Sequence, residues 1–310
     1  MILLSDRPGR VRWRLRVRWS PWRRDEYGAG MTSSPENPVL TVERSGHVAT
    51  LWLDCPEKRN AMGMPFFAQL PVMMSELGTD EDVRAVVIAA RGPAFSVGLD
   101  LTALASVGNG SSDPGNGRPS PATVARRVHA DVLRLQGSIS SVADCPKPVV
   151  AAIHGYCLGG GVDLTSACDI RLCSADAIFS VRETRMAMVA DIGSLQRLPE
   201  LMPYGYVAEL AYTGRDIDAV RAERMGFVNE VLTDQPATLE AAQQLAAEIA
   251  ANSPLAVQGT KAVLAEARRA RVEAGLRFVA AWNAGQLRSD DLGEAVAAFF
   301  ERRPPKFSGT

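Results

Sequence analysis

Two continuous apolar runs constrain the fold of this chain more than any other feature. Residues 84–90 read RAVVIAA, and residues 147–153 read KPVVAAI. A strand covered on both faces shows no polar alternation, so such runs are typical of the central parallel strands of an α/β sheet. Helix-like segments alternate with them, and further short strand-like runs follow at residues 170–173 and 177–181. This alternation predicts an α/β fold rather than a β-sandwich.

The segments around these strands fit the same scheme. Two strand-like runs flank the turn at Ser45 and Gly46 and predict a hairpin over residues 39–53. A stretch rich in glycine, proline, serine and asparagine predicts an exposed, mobile loop at residues 108–121. From residue 238 the chain is rich in alanine, and its pattern predicts C-terminal helices that include residues 254–270, 272–287 and 290–302.

Composition narrows the function classes. The chain has 310 residues, is 46% hydrophobic and carries a net charge of −1, so no overall field favours nucleic acid or an anionic membrane. No apolar run approaches the roughly 20 residues of a membrane span. Five dispersed cysteines, without a CxxC pair and with only three histidines, argue against a disulfide framework or a zinc site. A reducing cytosol is the predicted location.

The first 30 residues differ from the rest. They contain eight arginines and three of the five tryptophans. A basic, aromatic arm can bind nucleic acid or a membrane, or serve as a transit peptide. The interpretation that we favour is that Met31 starts the protein and that residues 1–30 are an extension outside the native fold.

Two glycine-containing turns follow the central strands. They are AFSVGLDL at residues 94–101 and HGYCLGGGVDL at residues 154–164. Glycines there allow positive φ and let backbone N–H groups come close to a ligand. Two converging N–H groups form an oxyanion hole, which holds the enolate of a thioester. The second turn also begins a helix, whose positive end favours such an anion.

Three acidic residues stand among apolar segments after the second strand. Asp163, Glu183 and Asp191 are candidates for proton transfer, because loss of water raises the pKa of a carboxyl group towards neutrality. Each also has a structural interpretation. Asp163 or Asp191 could cap a helix, and Glu183 could form a surface ion pair with Arg182 or Arg185.

Three other residues of this stretch have mainly structural interpretations. His154 is expected to be a packed side chain, and Cys157 a small core residue, because no partner set for nucleophilic catalysis accompanies it. Asp169 is expected to pair with Arg171 or with a backbone N–H group.

Together the motifs resemble the crotonase (enoyl-CoA hydratase/isomerase) family over residues 39–307. The matching segments, in family order, are PEKRNAM, RAVVIAARG, AFSVGLDL, KPVVAAIHGYCLGGGVDL, ACDIRLCSADAIF, AERMGFVNEV and FFERRPPKF. The resemblance implies a ββα spiral core over residues 31–233 and a helical region over residues 234–310 that forms homotrimers or dimers of trimers. It implies an acyl-CoA substrate, no cofactor, no metal, and neither nucleic acid nor membrane as a partner.

The resemblance also assigns roles to residues. The oxyanion donors would be the N–H groups of Leu99 and Gly160, and the catalytic acids would be Asp163, Glu183 and Asp191. The CoA moiety would contact a set of residues near the two turns, namely Lys58, Arg59, Asn60, Ala61, Gly98, Asp100 and Gly159.

The acid pattern is most similar to that of Δ3,5-Δ2,4-dienoyl-CoA isomerases: Asp in GGGVDL, a second Glu, and Asp before a glycine and LQRLP. The implied reaction of unsaturated fatty acid β-oxidation moves a proton from C2 to C6, with Glu183 as base, Asp191 as acid, or the reverse, and Asp163 tuning the pair. One alternative is an enoyl-CoA hydratase that uses Asp163 and Glu183. Another is a non-catalytic acyl-CoA binder whose basic arm contacts nucleic acid.

Overall fold

Two β-sheets organise the protein in a computed structural model that describes residues 38–101 and 119–310. In chain order the strands are β1 (Leu40–Ser45), β2 (Val48–Leu53), β3 (Ala85–Ala90), β4 (Val149–Ile153), β5 (Tyr156–Leu158), β6 (Ile170–Ser174), β7 (Ile178–Ser180), β8 (Ile217–Asp218) and β9 (Glu230–Leu232). The six-stranded sheet has the order β1-β2-β3-β4-β6-β9, and the three-stranded sheet has the order β5-β7-β8.

The strand pairing confirms the predicted α/β class. In the larger sheet β1 and β2 form the predicted antiparallel hairpin, and every later neighbour pairs in parallel. All residues of β3 and β4 are buried, as the uninterrupted apolar runs require. The ends of β3 and β4 therefore deliver the two glycine turns to the same edge of the sheet.

Helices cover the sheet and form most of the C-terminal part. They are α1 (Met64–Thr79), α2 (Pro121–Ala143), α3 (Gly160–Ala167), α4 (Ser194–Arg197), α5 (Tyr204–Thr213), α6 (Ala219–Arg224), α7 (Gln235–Ala251), α8 (Pro254–Gln286) and α9 (Asp290–Glu301). Short 3-10 turns lie at Pro56–Lys58, Glu183–Met186 and Leu198–Glu200.

One helix differs from the prediction. The separate helices expected at residues 254–270 and 272–287 are a single helix, α8, of 33 residues. The junction reads ARRARVEA, and each of these residues except valine is a strong helix former, so nothing there ends the helix. The C-terminal half of α8 reaches the loop before α4, where Asn283 binds Val189 and Asp191.

The core lies in two layers, one on each face of the larger sheet. On one face α7 packs against β2, β3 and β4 through Ala242, Ala246 and Ala250, which recur every four residues on one side of the helix. Alanine side chains let the helix approach the sheet closely. On the other face the larger apolar cluster joins α1 and α3 to the same sheet.

Residues 38–310 form one compact unit. The boundary at residue 233 between a core and a C-terminal region stays a prediction. The extension predicted at residues 1–30 lies outside the described residues, as does most of the loop predicted at residues 108–121. No helix in the described ranges is both long enough and apolar enough to cross a membrane.

A buried asparagine fixes the start of the first glycine turn. Asn60 has a positive φ of 54° and only 5% of its surface is exposed. Its Oδ1 accepts a hydrogen bond from the N–H of Cys55 at 2.9 Å. Its Nδ2 donates to the carbonyl oxygens of Arg91 and Ala94, both at 2.9 Å. The side chain thus ties the end of β2 to the segment after β3.

Replacing Asn60 by alanine is expected to lower the free energy of unfolding by about 3 kcal/mol, because three hydrogen bonds of about 1 kcal/mol each are lost in a buried turn. Arg59→Ala is the matched control, since Arg59 has a similar φ of 51° and an exposed side chain. Urea unfolding of both variants measures the difference. Equal losses in the two variants would contradict the role assigned to the Asn60 amide.

Candidate active site

The two glycine turns touch each other through their backbones. A Cβ atom at Gly98, whose φ is +87°, would lie 2.7 Å from the carbonyl oxygen of Leu158 and 3.2 Å from the nitrogen of Gly160. A Cβ atom at Gly160 would lie 3.7 Å from the nitrogen of Leu99. Glycine is therefore required at position 98 both for its backbone conformation and for the space.

The backbone nitrogens of Leu99 and Gly160 lie close to each other, since a Cβ atom at Gly160 would lie 3.7 Å from the Leu99 nitrogen. Within the described part of the chain, neither donates a hydrogen bond to a protein acceptor. Gly160 is also the first residue of α3, where the helix dipole is positive. Two neighbouring backbone donors without a protein acceptor are what an oxyanion hole requires, and the role of this pair stays a prediction.

Asp163 lies in α3 and is completely buried. Its Oδ1 accepts a hydrogen bond from the backbone N–H of Ser194, the first residue of α4. Its Oδ2 is buried without a partner. The interpretation of Asp163 as a cap of its own helix is therefore wrong, because the N-cap of α3 is Gly159 and the carboxylate instead binds the start of α4.

Glu183 begins the 3-10 turn that follows β7. Its Oε1 would lie 3.2 Å from a Cβ atom at Gly159, and its Oε2 is buried without a partner. Arg182 pairs with Asp216 at 2.7 Å, and the Arg185 side chain donates to a carbonyl oxygen. The interpretation of Glu183 as a surface ion pair is wrong, and the carboxyl group stands beside the second glycine turn.

Asp191 lies in the loop before α4. Its Oδ2 accepts a hydrogen bond from Nδ2 of Asn283 in α8 at 2.7 Å. The N-cap of α4 is Gly193, and no side chain caps that helix from the N-cap position. The interpretation of Asp191 as a helix cap is therefore wrong as well.

Burial raises the pKa of all three carboxyl groups. It is the largest cause at Asp163, where the Ser194 N–H group acts in the opposite direction. At Glu183 burial raises the pKa first, and the negative charges of Asp163 and Asp191 raise it further. Burial raises the pKa of Asp191 to about 6, against the opposing hydrogen bond from Asn283. Such a cluster can both accept and release protons near neutral pH.

The residues predicted to contact CoA lie around the first turn, except Gly159, which lies in the second. The side chains of Lys58 and Arg59 are exposed, and Nζ of Lys58 lies 3.6 Å from Oδ2 of Asp100. The amide of Asn60 is fully engaged with backbone groups, so a CoA contact there would involve its backbone. Gly98 and Gly159 have positive φ values of +87° and +50°. Their roles in CoA binding stay predictions.

The remaining candidates are structural. His154 is buried, with Nε2 2.9 Å from the carbonyl oxygen of Gly92. Burial raises the pKa of the Cys157 thiol, which makes it a poor nucleophile. Asp169 pairs with Lys261 at 2.6 Å and accepts a backbone N–H bond at 2.8 Å, while the predicted partner Arg171 binds carbonyl oxygens instead.

Three functional neighbours had no signal in the sequence motifs. Ser194 binds Asp163, Asn283 binds the side chain of Asp191, and Gln136 donates to the backbone carbonyl of Asp191 at 2.6 Å. A polar residue inside the alanine-rich segment AAWNAG is the sequence feature that could have pointed to Asn283. In residues 38–101 and 119–310, no group of three or more His, Cys, Asp or Glu side chains could hold a metal ion.

A match to a known protein family identifies the family to which this chain belongs. The sequence pattern of the family described as Enoyl-CoA hydratase/isomerase matches residues 43–310. The chain belongs to this family. The glycine turns and the buried acids of this family member are thus set in the fold that its motifs predicted.

Individual relatives and a solved structure agree with this family membership. "Delta(3,5)-Delta(2,4)-dienoyl-CoA isomerase, peroxisomal" of Arabidopsis thaliana is 42% identical over 270 residues, which cover 87% of this chain and 96% of that protein. The enzyme of the same name, "mitochondrial", of Dictyostelium discoideum is 41% identical over 268 residues, or 86% and 90% of the two chains. An enoyl-CoA hydratase/isomerase structure from Mycobacterium paratuberculosis has a TM-score of 0.74 at 25% identity, over 85% of this chain and 99% of that one. The crotonase-like fold is confirmed.

The prediction of a cytosolic location is wrong. The relatives with about 40% identity are named peroxisomal or mitochondrial proteins. The prediction rested on dispersed, unpaired cysteines, and the described ones are free thiols. Such thiols do not by themselves distinguish the cytosol from the interior of an organelle.

The raised pKa of Asp191 makes the stability of this family member depend on pH. The unfolded value is 3.8 and the folded value about 6, so the folded state keeps a proton that the unfolded state has lost between these values. Stability from this group is therefore lost as the pH rises from about 4 to about 6. Asp191→Asn does not carry this ionisable group, so it is expected to gain stability relative to the wild type as the pH rises through this window. Above the window, its free energy of unfolding relative to that of the wild type is expected to be up to about 3 kcal/mol higher than at pH about 4.

Urea unfolding of the wild type and of Asp191→Asn at several pH values measures this difference. Asp82→Asn, at an exposed position, serves as the parallel variant and reports the pH response of the rest of the protein. A difference between wild type and Asp191→Asn that stays constant across the window would contradict burial of an ionisable Asp191.

Proposed function

We propose that this protein is a dienoyl-CoA isomerase that converts 3,5-dienoyl-CoA into 2,4-dienoyl-CoA. The names of the relatives with about 40% identity support the reaction. The observation that carries the proposal is the placement of the acids. Glu183 lies against Gly159 beside the oxyanion donors, whereas Asp191 lies in a different loop, where Asn283 of α8 binds its carboxyl group.

The thioester oxygen would accept hydrogen bonds from the N–H groups of Leu99 and Gly160. C2 of the substrate is bonded to the thioester carbon, so the base that acts on C2 has to stand next to the oxyanion pair. Glu183 meets this condition through its contact with Gly159. Its raised pKa makes its ionised form a strong base for a carboxylate.

The reaction then proceeds through a dienolate. Glu183 removes the C2 proton, and the electron pair of that C–H bond moves into a C1–C2 double bond as the thioester oxygen becomes negative. When the negative charge leaves the thioester oxygen, the thioester carbonyl forms again, double bonds form between C2 and C3 and between C4 and C5, and C6 takes a proton from Asp191. Glu183 and Asp191 are thus left in exchanged protonation states, which proton transfer between them or through water restores.

Asp163 would tune this pair without touching the reacting carbons. Its carboxyl group is buried, and its negative charge raises the pKa of Glu183. The N–H bond from Ser194 holds Oδ1 in place. Hydration of a 2-enoyl-CoA by Asp163 and Glu183 is the second candidate function, since both have a carboxylate oxygen without a protein partner that could hold a water molecule.

The exposed side chains of Lys58 and Arg59 are proposed to lie along the CoA phosphates, and no cofactor is needed for this chemistry. We also propose assembly into trimers or dimers of trimers. Several large apolar side chains of α8 and α9 are exposed in the single chain: Val263, Leu264, Phe278, Trp282, Phe299 and Phe300. Analytical ultracentrifugation of the purified protein measures the assembly directly.

The activity is tested with 3,5-octadienoyl-CoA and crotonyl-CoA in D2O. The wild type is expected to produce the absorbance of a conjugated 2,4-dienoyl thioester and to place deuterium at C6. Glu183→Gln is expected to block both product formation and exchange of the C2 proton. Asp191→Asn is expected to abolish product while C2 exchange continues, because the base is intact and the acid is missing.

Other outcomes would separate the alternatives. Loss of crotonyl-CoA absorbance that is unaffected by Asp191→Asn would make the protein a hydratase. No change with either substrate would favour a binding role. Exchange at C2 that is lost in Asp191→Asn and kept in Glu183→Gln would reverse the two roles.

Gly98→Ala is expected to lower kcat by about 10²- to 10³-fold, the usual cost of one lost oxyanion donor. Its Cβ would meet the Leu158 carbonyl oxygen at 2.7 Å and push the two turns apart. Gly46→Ala is the matched control, because Gly46 also has a positive φ, of +54°, but no atom within 4 Å of the added carbon. A similar kcat in both variants would rule out the proposed oxyanion pair.

A further inference from the structure

We propose that Asn283 is a positioning residue for Asp191, which holds Oδ2 of the carboxyl group so that Oδ1 carries the transferred proton. The inference rests on the proposed function, in which Asp191 exchanges a proton with the substrate. It assigns a part of the active site to α8, far along the chain from the glycine turns.

The side chain of Asn283 is buried, with 2% of its surface exposed. Its Nδ2 donates to the carbonyl oxygen of Val189 at 2.9 Å and to Oδ2 of Asp191 at 2.7 Å. Around it α8 contributes buried apolar residues, among them Val279 and Ala280. An amide buried among such residues is unfavourable unless its hydrogen bonds are made, and both N–H bonds go to the Asp191 loop.

A second amide holds the same loop from a different helix. Nε2 of Gln136 in α2 donates to the carbonyl oxygen of Asp191 at 2.6 Å and to that of Leu276 at 3.0 Å. Gln136 thus fixes the backbone of Asp191, and Asn283 fixes its carboxyl group. The two amides differ in only one relevant respect, since only Asn283 touches the group that would carry the proton.

The chemistry of an amide N–H group distinguishes the two carboxyl oxygens. Nδ2 can only donate, and in a protonated carboxyl group the carbonyl oxygen accepts a hydrogen bond better than the hydroxyl oxygen does, so the bond to Oδ2 favours the proton on Oδ1. Among the described side chains, only that of Asn283 donates to the carboxyl group of Asp191, and it binds Oδ2, so Oδ1 is left for the substrate. A proton taken up by Asp191 is therefore held on Oδ1.

The same bond stabilises the ionised form of Asp191 and so opposes the effect of burial. The charged groups around Asp191 are Asp163 from α3, Glu183 from the 3-10 turn and, next to the Ile192 carbonyl, Arg197 from α4. The amides of α2 and α8 carry no charge. Loss of the Asn283 bond is thus expected to raise the proton affinity of Asp191 without changing the charge of the site.

The test compares Asn283→Leu with the matched control Gln136→Met in the pH profile of kcat for 3,5-dienoyl-CoA. The limb that Asp191 governs is the one present in the pH profile of kcat and absent from that of C2 exchange, which does not need Asp191. In Asn283→Leu this limb is expected to move to higher pH by about one unit or more, the effect of losing a hydrogen bond to a charged group. In Gln136→Met kcat falls while this limb stays in place, because the carboxyl group keeps its donor. C2 exchange in D2O is expected to persist in Asn283→Leu.

An unmoved limb in Asn283→Leu, or equal shifts in both variants, would overturn the inference and leave a structural role for Asn283. If the wild type does not convert 3,5-dienoyl-CoA, the proposed function itself fails, which is a different result. Should the leucine variant not fold, Asn283→Ser removes the amide with a smaller, polar side chain. It is expected to shift the limb in the same direction, and an unmoved limb there would equally overturn the inference.

Discussion

The backbone contact between the two glycine turns is the constraint on which the site depends. Without side chains at Gly98 and Gly160, the turns after β3 and β4 come close enough to bring the N–H groups of Leu99 and Gly160 near each other. Ser96 supports this approach, since its Oγ accepts from the N–H of Gly98 at 3.1 Å and donates to the carbonyl oxygen of Asn60 at 2.8 Å. The parallel pairing of β3 with β4 brings both turns to the same edge of the sheet. The absence of Cβ atoms is a local property of the sequence, and it forms the site only because the long-range pairing of β3 with β4 brings the turns together.

The three carboxyl groups lie in similar surroundings and differ in their partners. Burial raises the pKa of each one, but Asp163 binds a backbone N–H group and Asp191 binds an amide side chain, whereas no side chain of the described residues donates to Glu183. Burying acids in this way costs stability, and the extensive apolar core on both faces of the sheet offsets that cost. The differences between the partners allow chemically identical groups to take different parts in proton transfer.

Much of the architecture could be predicted from the sequence because its signals are local. The runs RAVVIAA and KPVVAAI became β3 and β4, the hairpin formed as expected, and the crotonase-like fold is confirmed. The continuity of α8 was missed, although its sequence has no helix-breaking residue at the expected boundary. The predicted location was wrong because cysteine spacing reports redox conditions and does not specify a cellular compartment. The structural interpretations of the three acids could not be excluded from sequence, because an aspartate at a cap and one in a buried site have the same local pattern.

The sequence by itself determined which residues form the buried strands, where the backbone turns on glycine and which acids stand in apolar surroundings. These features depend on side-chain type and on spacing within a few residues. Only the tertiary structure decided the partners of the acids. Asp163 meets Ser194 across 31 residues, and Asp191 meets Asn283 across 92. Hydrogen bonds at such separations follow from the packing of helices against the sheet, which no local pattern encodes.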